Sequence, residues 1–154
     1  MRRIKRWFKS TSKRTFILYP LLVILVNMAS HRGILSVQPA GAVFLLWGYL
    51  QYRLIGRYRT RRGGGGPGLE VPPDRIVADG PYRYVRNPMY LGHLIFMLGL
   101  WITFSSWLAF VLFVFHAVWF DRRVRKDEAN LELRFGEDYR AYKRRVKRWI
   151  PGLL

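Results

Sequence analysis

The sequence contains no cysteine, and only nine of its 154 residues are acidic. The absence of cysteine excludes a disulfide framework, thiolate chemistry and a cysteine-ligated zinc site. The scarcity of acid leaves 27 lysines and arginines largely uncompensated, for a formal net charge of +18. Because 51% of the residues are hydrophobic and 16% are aromatic, the chain is not a disordered basic tail. Its length predicts a single domain, 1–154.

The basic and the apolar residues are separated into blocks along the chain. Residues 1–14 hold seven lysines and arginines, whereas 15–30, 33–52 and 87–120 hold no Asp, Glu, Lys or Arg. A helix needs about 20 apolar residues to cross a bilayer core, so these blocks predict membrane spans. The 34 residues of 87–120 are too many for one span. We predict that they turn at the polar segment 103–107.

These blocks predict an all-α integral membrane protein with four transmembrane helices, the last two forming a short hairpin. The predicted parts are a basic cytosolic tail (1–14), two spans (15–52), a Gly/Pro-rich cytosolic loop (53–86), the helical hairpin (87–120) and a cytosolic helical tail (121–154). This arrangement puts 26 of the 27 basic residues on one side and Arg32 on the other. The asymmetry predicts an N-in/C-in topology, in the plasma or inner membrane if the source is bacterial.

Three other interpretations of these features are disfavoured. A basic start before an apolar run also fits a secretory signal peptide, but further apolar blocks follow and 27–29 is a poor cleavage site. A basic chain can bind nucleic acid, but the span-sized uncharged blocks account for the charge, so we expect no nucleic-acid partner. The glycine run at 63–68 lacks the Gly-Lys-Ser/Thr of a phosphate-binding loop, and we predict a flexible linker.

The third and fourth spans carry polar residues at helical spacing. Pro88 suits the first turn of the third span, with Asn87 as its N-cap. His93 follows Tyr90 by three residues, so both side chains can face inward. Further along, one helix face is expected to hold His116, Phe120, Arg123 and Asp127. For a single histidine in a membrane helix, an interhelical hydrogen bond is a more frequent role than catalysis. Two histidines that are far apart do not form a metal-ligand set, so we predict no metal site.

The C-terminal part predicts two helices separated at Gly136. In the second, Tyr139, Tyr142, Val146 and Trp149 recur at three- and four-residue spacing among basic residues. Such a basic amphipathic helix suits the headgroup layer of a membrane. It equally suits packing against the protein's own cytosolic face, and the sequence leaves both positions open.

Two motifs in order along the chain resemble one enzyme family. The first is GPYRYVRNPMYLG at 80–92, followed by the uncharged hairpin. The second begins at Arg123, continues through Asp127 and Glu128, and ends at 149–151 with Trp-Ile-Pro. Together they resemble the isoprenylcysteine carboxyl methyltransferase family, which shares a membrane superfamily with the phospholipid N-methyltransferases. The resemblance covers about residues 70–151.

The resemblance implies a membrane enzyme that uses S-adenosylmethionine and releases S-adenosylhomocysteine on the cytosolic side. The residues that it assigns to the cofactor are Gly80, Tyr82, Asn87, Pro88, Tyr90 and Glu128. We add His93, which can share the inward face of the third span with Tyr90. It makes Arg86 and Arg123 candidates for binding a carboxylate, either of the cofactor or of the acceptor. With Asp127, a candidate base, these are the predicted catalytic residues. The chain departs from the family at Asn87-Pro88, where the family often has His-Pro. Because the Asn87 amide cannot act as a proton-transferring base, a role of that histidine as a base does not carry over. It also has Asp127 where the family often has glutamate.

The methyl acceptor is expected to be lipid-like and to arrive laterally from the membrane. A carboxylate acceptor needs no base and favours an arginine, such as Arg123 or Arg86. An amine acceptor must lose a proton and favours Asp127 or His116. We favour the carboxylate because Arg123 lies within the second motif. A non-catalytic basic protein that binds anionic membrane lipids remains an alternative, and none of these features indicates an oligomeric state.

Overall fold

The computed structural model describes residues 10–150; the ends of the predicted tails, 1–9 and 151–154, lie outside this range. The helices are α1 (Thr11–Ser30), α2 (Gly41–Gly63), α3 (Pro88–Phe104) and α4 (Trp107–Arg145), with a short 3₁₀ helix at Gly80–Arg83. Over the described range the chain forms no β-strand, and its extended pairing is a lone parallel bridge between Val85 and Lys147. The predicted all-helical class is therefore confirmed.

The helices differ in how well each suits a membrane. Of those in the described range, α1 alone is both long and apolar enough to span a bilayer, while α3 is apolar but shorter. In α2 the second half carries five arginines, which lowers its mean hydropathy. Large apolar side chains are nevertheless exposed along the bundle, including Leu25 (63%), Leu46 (62%) and Phe115 (60%). An apolar exterior of this kind is typical of contact with lipid.

The second predicted span is displaced along the chain. It was expected at 33–52, but α2 begins at Gly41 and continues to Gly63, well into the predicted loop. Residues 34–38 are not helical, because the chain there is tied to the end of α3 by a hydrogen bond from Gln38 N–H to Thr103 O (2.6 Å). Hydropathy alone does not reveal this tertiary hydrogen bond.

The hairpin turns where the polar segment predicted it. Helix α3 ends at Phe104, Ser105 adopts a left-handed conformation (φ 44°), and α4 begins at Trp107. Asn27 joins this turn to the end of α1, since its Nδ2 donates to Phe104 O at 2.9 Å. Its Oδ1 accepts the Ser36 N–H at 3.0 Å. The loops at this end of the bundle are therefore held together by one buried amide.

Glycines allow α2 and α3 to pack with their backbones close together. Gly41 and Gly48 on α2 meet α3, and Gly92 and Gly99 on α3 meet α2; the members of each pair are seven positions apart. A Cβ atom at Gly48 would lie 2.4 Å from Phe96 N, and one at Gly92 would lie 2.9 Å from Gly48 O. Close helix packing through small residues is a frequent arrangement in membrane bundles.

The glycine run at 63–68, predicted as a flexible linker, is joined to α2 by side-chain hydrogen bonds. The Arg59 guanidinium donates to three main-chain carbonyls of the loop, those of Gly66, Gly68 and Val71, at 2.8, 2.5 and 2.9 Å. Leu69 is buried beneath it. Arg59 thus satisfies three main-chain carbonyls that have no helical hydrogen-bond partner. These hydrogen bonds hold the loop over the end of the bundle.

The C-terminal part of the chain packs on the protein itself. Gly136 (φ 56°) kinks α4, as predicted, and beyond the kink Tyr139, Tyr142 and Val146 are buried. The Tyr142 hydroxyl donates to Tyr82 O at 2.7 Å. The sequence left open whether this helix lies in the headgroup layer or packs on the protein, and in the structure it packs on the protein. The helix ends at Arg145, so the prediction that it includes Val146 and Trp149 is wrong.

Candidate active site

A cavity of about 350 Å³ lies at the end of the bundle where α1 and α3 begin and α2 ends. The loop 69–77 covers one side of it, and the half of α4 beyond Arg123 forms another. Tyr139 and Tyr142 close the third side from the kinked end of α4. The two predicted motifs, which the hairpin separates in sequence, therefore meet at one cavity.

Beside the cavity, Arg86 forms a bidentate ion pair with Glu128. Arg86 Nε lies 2.9 Å from Glu128 Oε1 and its Nη2 lies 3.2 Å from Oε2. Arg148 adds a second guanidinium, 2.8 Å from the same Oε2. The Arg86 and Glu128 side chains are 8% and 3% exposed, so the pair is shielded from water. The Nη1 of Arg86 also donates to Lys143 O and Val146 O, which joins the returning C-terminal segment to the site.

The charge of Glu128 is maintained by these partners. Burial alone would raise the pKa of the Glu128 carboxyl, but hydrogen bonds from Arg86 and Arg148 outweigh burial and hold the pKa below its usual range. Asn87 contributes as well, since its Nδ2 donates to Glu128 Oε1 at 3.0 Å. Asn87 does occupy the N-cap position of α3, but its side chain makes no cap hydrogen bond. The Asn87 side chain binds the buried Glu128 carboxylate instead.

A second chain of polar contacts links α3, α4 and the start of α1. The Tyr90 hydroxyl donates to Asp127 Oδ2 at 2.7 Å, and Arg123 Nε lies 3.9 Å from the same oxygen. Arg123 Nη1 donates to Thr11 Oγ1 at 3.3 Å. Glu70 Oε1 then accepts the Thr11 N–H at 2.9 Å. The first turn of α1 is thereby attached to two cavity-lining side chains.

Tyr82 and Glu70, which line the cavity, have shifted pKa values. Burial raises the pKa of the Tyr82 phenol to about 12, so the hydroxyl stays protonated at neutral pH. Burial would also raise the pKa of Glu70, but hydrogen bonds from Thr11 outweigh burial and lower it. Glu70 is therefore an anion in the wall of the cavity, where it can accept hydrogen bonds from a bound ligand.

Six of the ten residues predicted for the site line the cavity: Tyr82, Arg86, Asn87, Tyr90, Arg123 and Asp127. Four do not. Glu128 lies behind Arg86, and Pro88 is the buried first residue of α3. Gly80 lies against the Tyr58 ring. His93 is fully buried among the rings of Phe16, Tyr52 and Phe120, with Nδ1 bonded to Met89 O.

Sequence reasoning missed four polar residues that line the cavity: Arg59, Glu70, Asn130 and Arg134. The stripe of Arg123 and Asp127 extends by three and four residues to Asn130 and Arg134, so helical spacing could have found those two. Arg59 and Glu70 could not have been found in this way. They enter the site because α2 extends past its predicted end and the glycine loop folds back onto it.

The fold and the cavity define a helical protein with an apolar bundle and a polar pocket at its basic end. A family model described as phospholipid methyltransferase matches residues 40–137. This chain therefore belongs to the phospholipid methyltransferase family, and the superfamily predicted from the two motifs is confirmed. The match includes α2, α3, the loop between them and α4 to just beyond its kink.

Individual relatives agree with this assignment. The chain is 36% identical over 78 residues to the protein-S-isoprenylcysteine O-methyltransferase of Schizosaccharomyces pombe, and 30% identical over 80 residues to the protein of the same name from Dictyostelium discoideum. Each alignment covers about half of this chain and 33% of the relative. An uncharacterized protein of Haemophilus influenzae is 37% identical over 65 residues, which is its full length.

Proposed function

We propose that this protein is an S-adenosylmethionine-dependent methyltransferase that acts on a lipid-like acceptor at the cytosolic face of a membrane. The observation that carries the proposal is the cavity in which the motif around Tyr90 meets the motif around Asp127. The family and the names of the relatives support the same reaction class. By analogy with those relatives, we propose a prenylated cysteine carboxylate as the acceptor.

The residues of the cavity fit the proposed cofactor. Its volume, about 350 Å³, lies within the usual range for small-molecule sites, about 300–1,000 Å³. Tyr82 and Tyr90 offer aromatic faces to a cationic sulfonium. Asp127 and Glu70 offer acceptors for ammonium and ribose hydroxyl groups, and Arg134 offers a donor for a carboxylate. When bound, S-adenosylmethionine supplies an electrophilic methyl group.

The protein's own contribution is to position the acceptor and to keep the site shielded. Methyl transfer needs the acceptor atom held in line behind the methyl group, and positioning can lower a barrier by up to about 7–11 kcal/mol. Tyr90 fixes Asp127 through its hydroxyl, and Glu128 fixes Arg86 through two hydrogen bonds. Neither Arg86 nor Asp127 is then free to collapse into the cavity.

The contacts of Arg123 favour a carboxylate acceptor over an amine. Its nearest carboxylate oxygen, on Asp127, is 3.9 Å away and already accepts the Tyr90 hydroxyl proton at 2.7 Å. The guanidinium therefore retains donors for an incoming carboxylate. Asp127 also supports a second candidate, a phospholipid N-methyltransferase, because it is a proton acceptor in the wall of the cavity.

The fold also supports a four-span, N-in/C-in arrangement. The described start of α1, the end of α2, the start of α3 and the second half of α4 share the cavity end of the bundle. The linkers 31–40 and 105–106 share the other end. In the described range, the basic residues other than Arg32 then fall on the cavity side, which the positive-inside rule assigns to the cytosol.

A transfer assay tests the proposal. Detergent-purified protein is incubated with S-adenosylmethionine labelled in the methyl group, together with a prenylcysteine or phosphatidylethanolamine. Label that alkali releases as methanol identifies an ester, and alkali-stable label identifies N-methylation. Failure to transfer methyl to either, together with failure to bind S-adenosylhomocysteine, would support a non-catalytic protein that binds anionic lipid and would overturn the proposal.

Replacing Tyr90 tests whether the cavity is the cofactor site. Tyr90→Ala removes an aromatic wall and the hydrogen bond to Asp127, so we expect S-adenosylhomocysteine binding to weaken by at least tenfold. Tyr84→Ala is the matched control, because Tyr84 is 59% exposed and lies outside the cavity. Calorimetric titration measures both. Equal affinities in the two variants would exclude this cavity.

A further inference from the structure

A distorted turn in α1 brings Arg14 against α4. Over Arg14–Leu18 the helix is a π-helix, and the Tyr19 N–H bonds to Arg14 O five residues earlier. In an α-helix, residues five apart face different directions, but the wider π turn aligns them. Both side chains accordingly meet α4: the Tyr19 hydroxyl lies 3.1 Å from His116 Nε2, and the Arg14 guanidinium packs on Trp119.

Two guanidinium groups share the indole of Trp119. The Cζ atoms of Arg14 and Arg123 each lie 5.6 Å from the centroid of this ring. No Asp or Glu of the described chain pairs with Arg14, and its Nε is buried without a hydrogen-bond partner. A guanidinium without an anionic partner in a partly buried position is unfavourable by itself and favours a bound anion.

The surroundings of Trp119 fit an amphiphile. Arg123 lines the cavity, whereas Arg14 lies outside it, so the pair marks one edge of the cavity. On the side of Trp119 away from the cavity, Phe115, one turn earlier on α4, is 60% exposed, and the neighbouring Val118 is 52% exposed. Tryptophan is itself enriched at the boundary between lipid and water. Cationic groups and an apolar surface therefore follow one another along the α1–α4 edge.

We propose that Arg14 and Arg123 bind the carboxylate of an amphiphilic acceptor as it enters between α1 and α4, with its apolar tail along Phe115. This inference deepens the proposed function and depends on it for the identity of the acceptor. Arg14 is a positioning and specificity residue in this scheme: it holds the carboxylate at the entrance, and Arg123 presents it to the cavity.

Equilibrium binding without the methyl donor tests the site directly. The probes are radiolabelled N-acetyl-S-farnesylcysteine and its uncharged carboxamide, with protein in phosphatidylcholine nanodiscs. We expect Arg14→Gln to weaken binding of the carboxylate about tenfold or more while changing that of the carboxamide by less than twofold. Arg122→Gln removes the same charge from an exposed position of α4 and should change neither.

Three results would overturn the site: unchanged carboxylate binding in Arg14→Gln, an equal loss for both probes, or displacement of the carboxylate by phosphatidylglycerol at equal affinity. The last would identify a general site for anionic lipid. Arg14→Lys, which keeps the charge but loses the planar fork, should recover part of the affinity and serves if Arg14→Gln does not fold. S-adenosylhomocysteine affinity, measured separately, should match wild type in both Arg14 variants. If wild-type protein does not bind S-adenosylhomocysteine, the proposed function is refuted, whereas the measured binding of the carboxylate probe still stands.

Discussion

At the scale of single residues, Glu128 organises the site without lining it. It accepts hydrogen bonds from Arg86, Asn87 and Arg148, which come from the first motif and from the C-terminal segment. A buried carboxylate with this many partners is stable only while all of them remain in place. Glu128 thus links the integrity of the cavity wall to the position of the chain end.

We predict that Glu128→Gln lowers the free energy of unfolding by about 3–5 kcal/mol, because it leaves Arg86 and Arg148 without their shared anion. Thermal or denaturant unfolding in detergent measures the change. Glu137→Gln provides the control, since Glu137 and Arg144 form an exposed pair whose loss should change stability little. Equal stability of the two variants would show that the buried pair is not needed for folding.

The lowered pKa of Glu128 also predicts how stability depends on pH. Its pKa is lower in the folded protein than the ordinary value of 4.5, so its contribution is complete above that value and is lost as the pH falls through the folded pKa. Below pH 4.5, wild type should lose stability more steeply than Glu128→Gln. Parallel unfolding curves in acid would contradict this assignment.

At the scale of helices, the α2–α3 pair is the rigid frame of the bundle. Glycines on both helices bring the two backbones into contact, and the N-terminus of α3 is fixed to α2 by Gln51 Nε2, which donates to Pro88 O at 2.9 Å. Because Tyr90 follows Pro88 by two residues, its position in the cavity depends on how closely the two helices pack.

We predict that Gly48→Ala destabilises the protein and weakens S-adenosylhomocysteine binding together. Its added Cβ would lie 2.4 Å from Phe96 N and 2.6 Å from Gly92 O, so the helices must separate. Overpacking of this kind costs about 1–3 kcal/mol. Ala42→Leu adds a larger side chain at an exposed position of the same helix and should have little effect. Unchanged unfolding and binding in Gly48→Ala would contradict the close packing.

At the scale of the whole molecule, charge and apolar surface are divided between the ends and the sides of the bundle. The cavity lies at the basic end, and exposed apolar side chains surround the bundle below it. Under the proposed function, this division allows a lipid-like acceptor to remain in the membrane while its polar group reaches the site. It depends on the proposed four-span topology, in which each helix keeps its direction across the membrane.

The absence of cysteine makes this topology directly testable. We predict that Ser36→Cys, in the linker between α1 and α2, reacts with a membrane-impermeant maleimide in intact cells. Ala129→Cys, on the exposed side of α4 beyond the predicted span, should react only after permeabilisation. The unmodified chain is the control, since it offers no thiol. Labelling of Ala129→Cys in intact cells would refute the N-in/C-in orientation.

The sequence by itself determined the helical class, the turn at 103–107, the kink at Gly136 and the family. These depend on local composition and on motifs, which hydropathy and spacing express directly. The tertiary structure decided that α2 starts at Gly41, that Arg59 fixes the glycine loop, and that Glu128 lies behind Arg86. Each of these follows from a contact between residues distant in the chain, and such contacts exist only after the helices have packed.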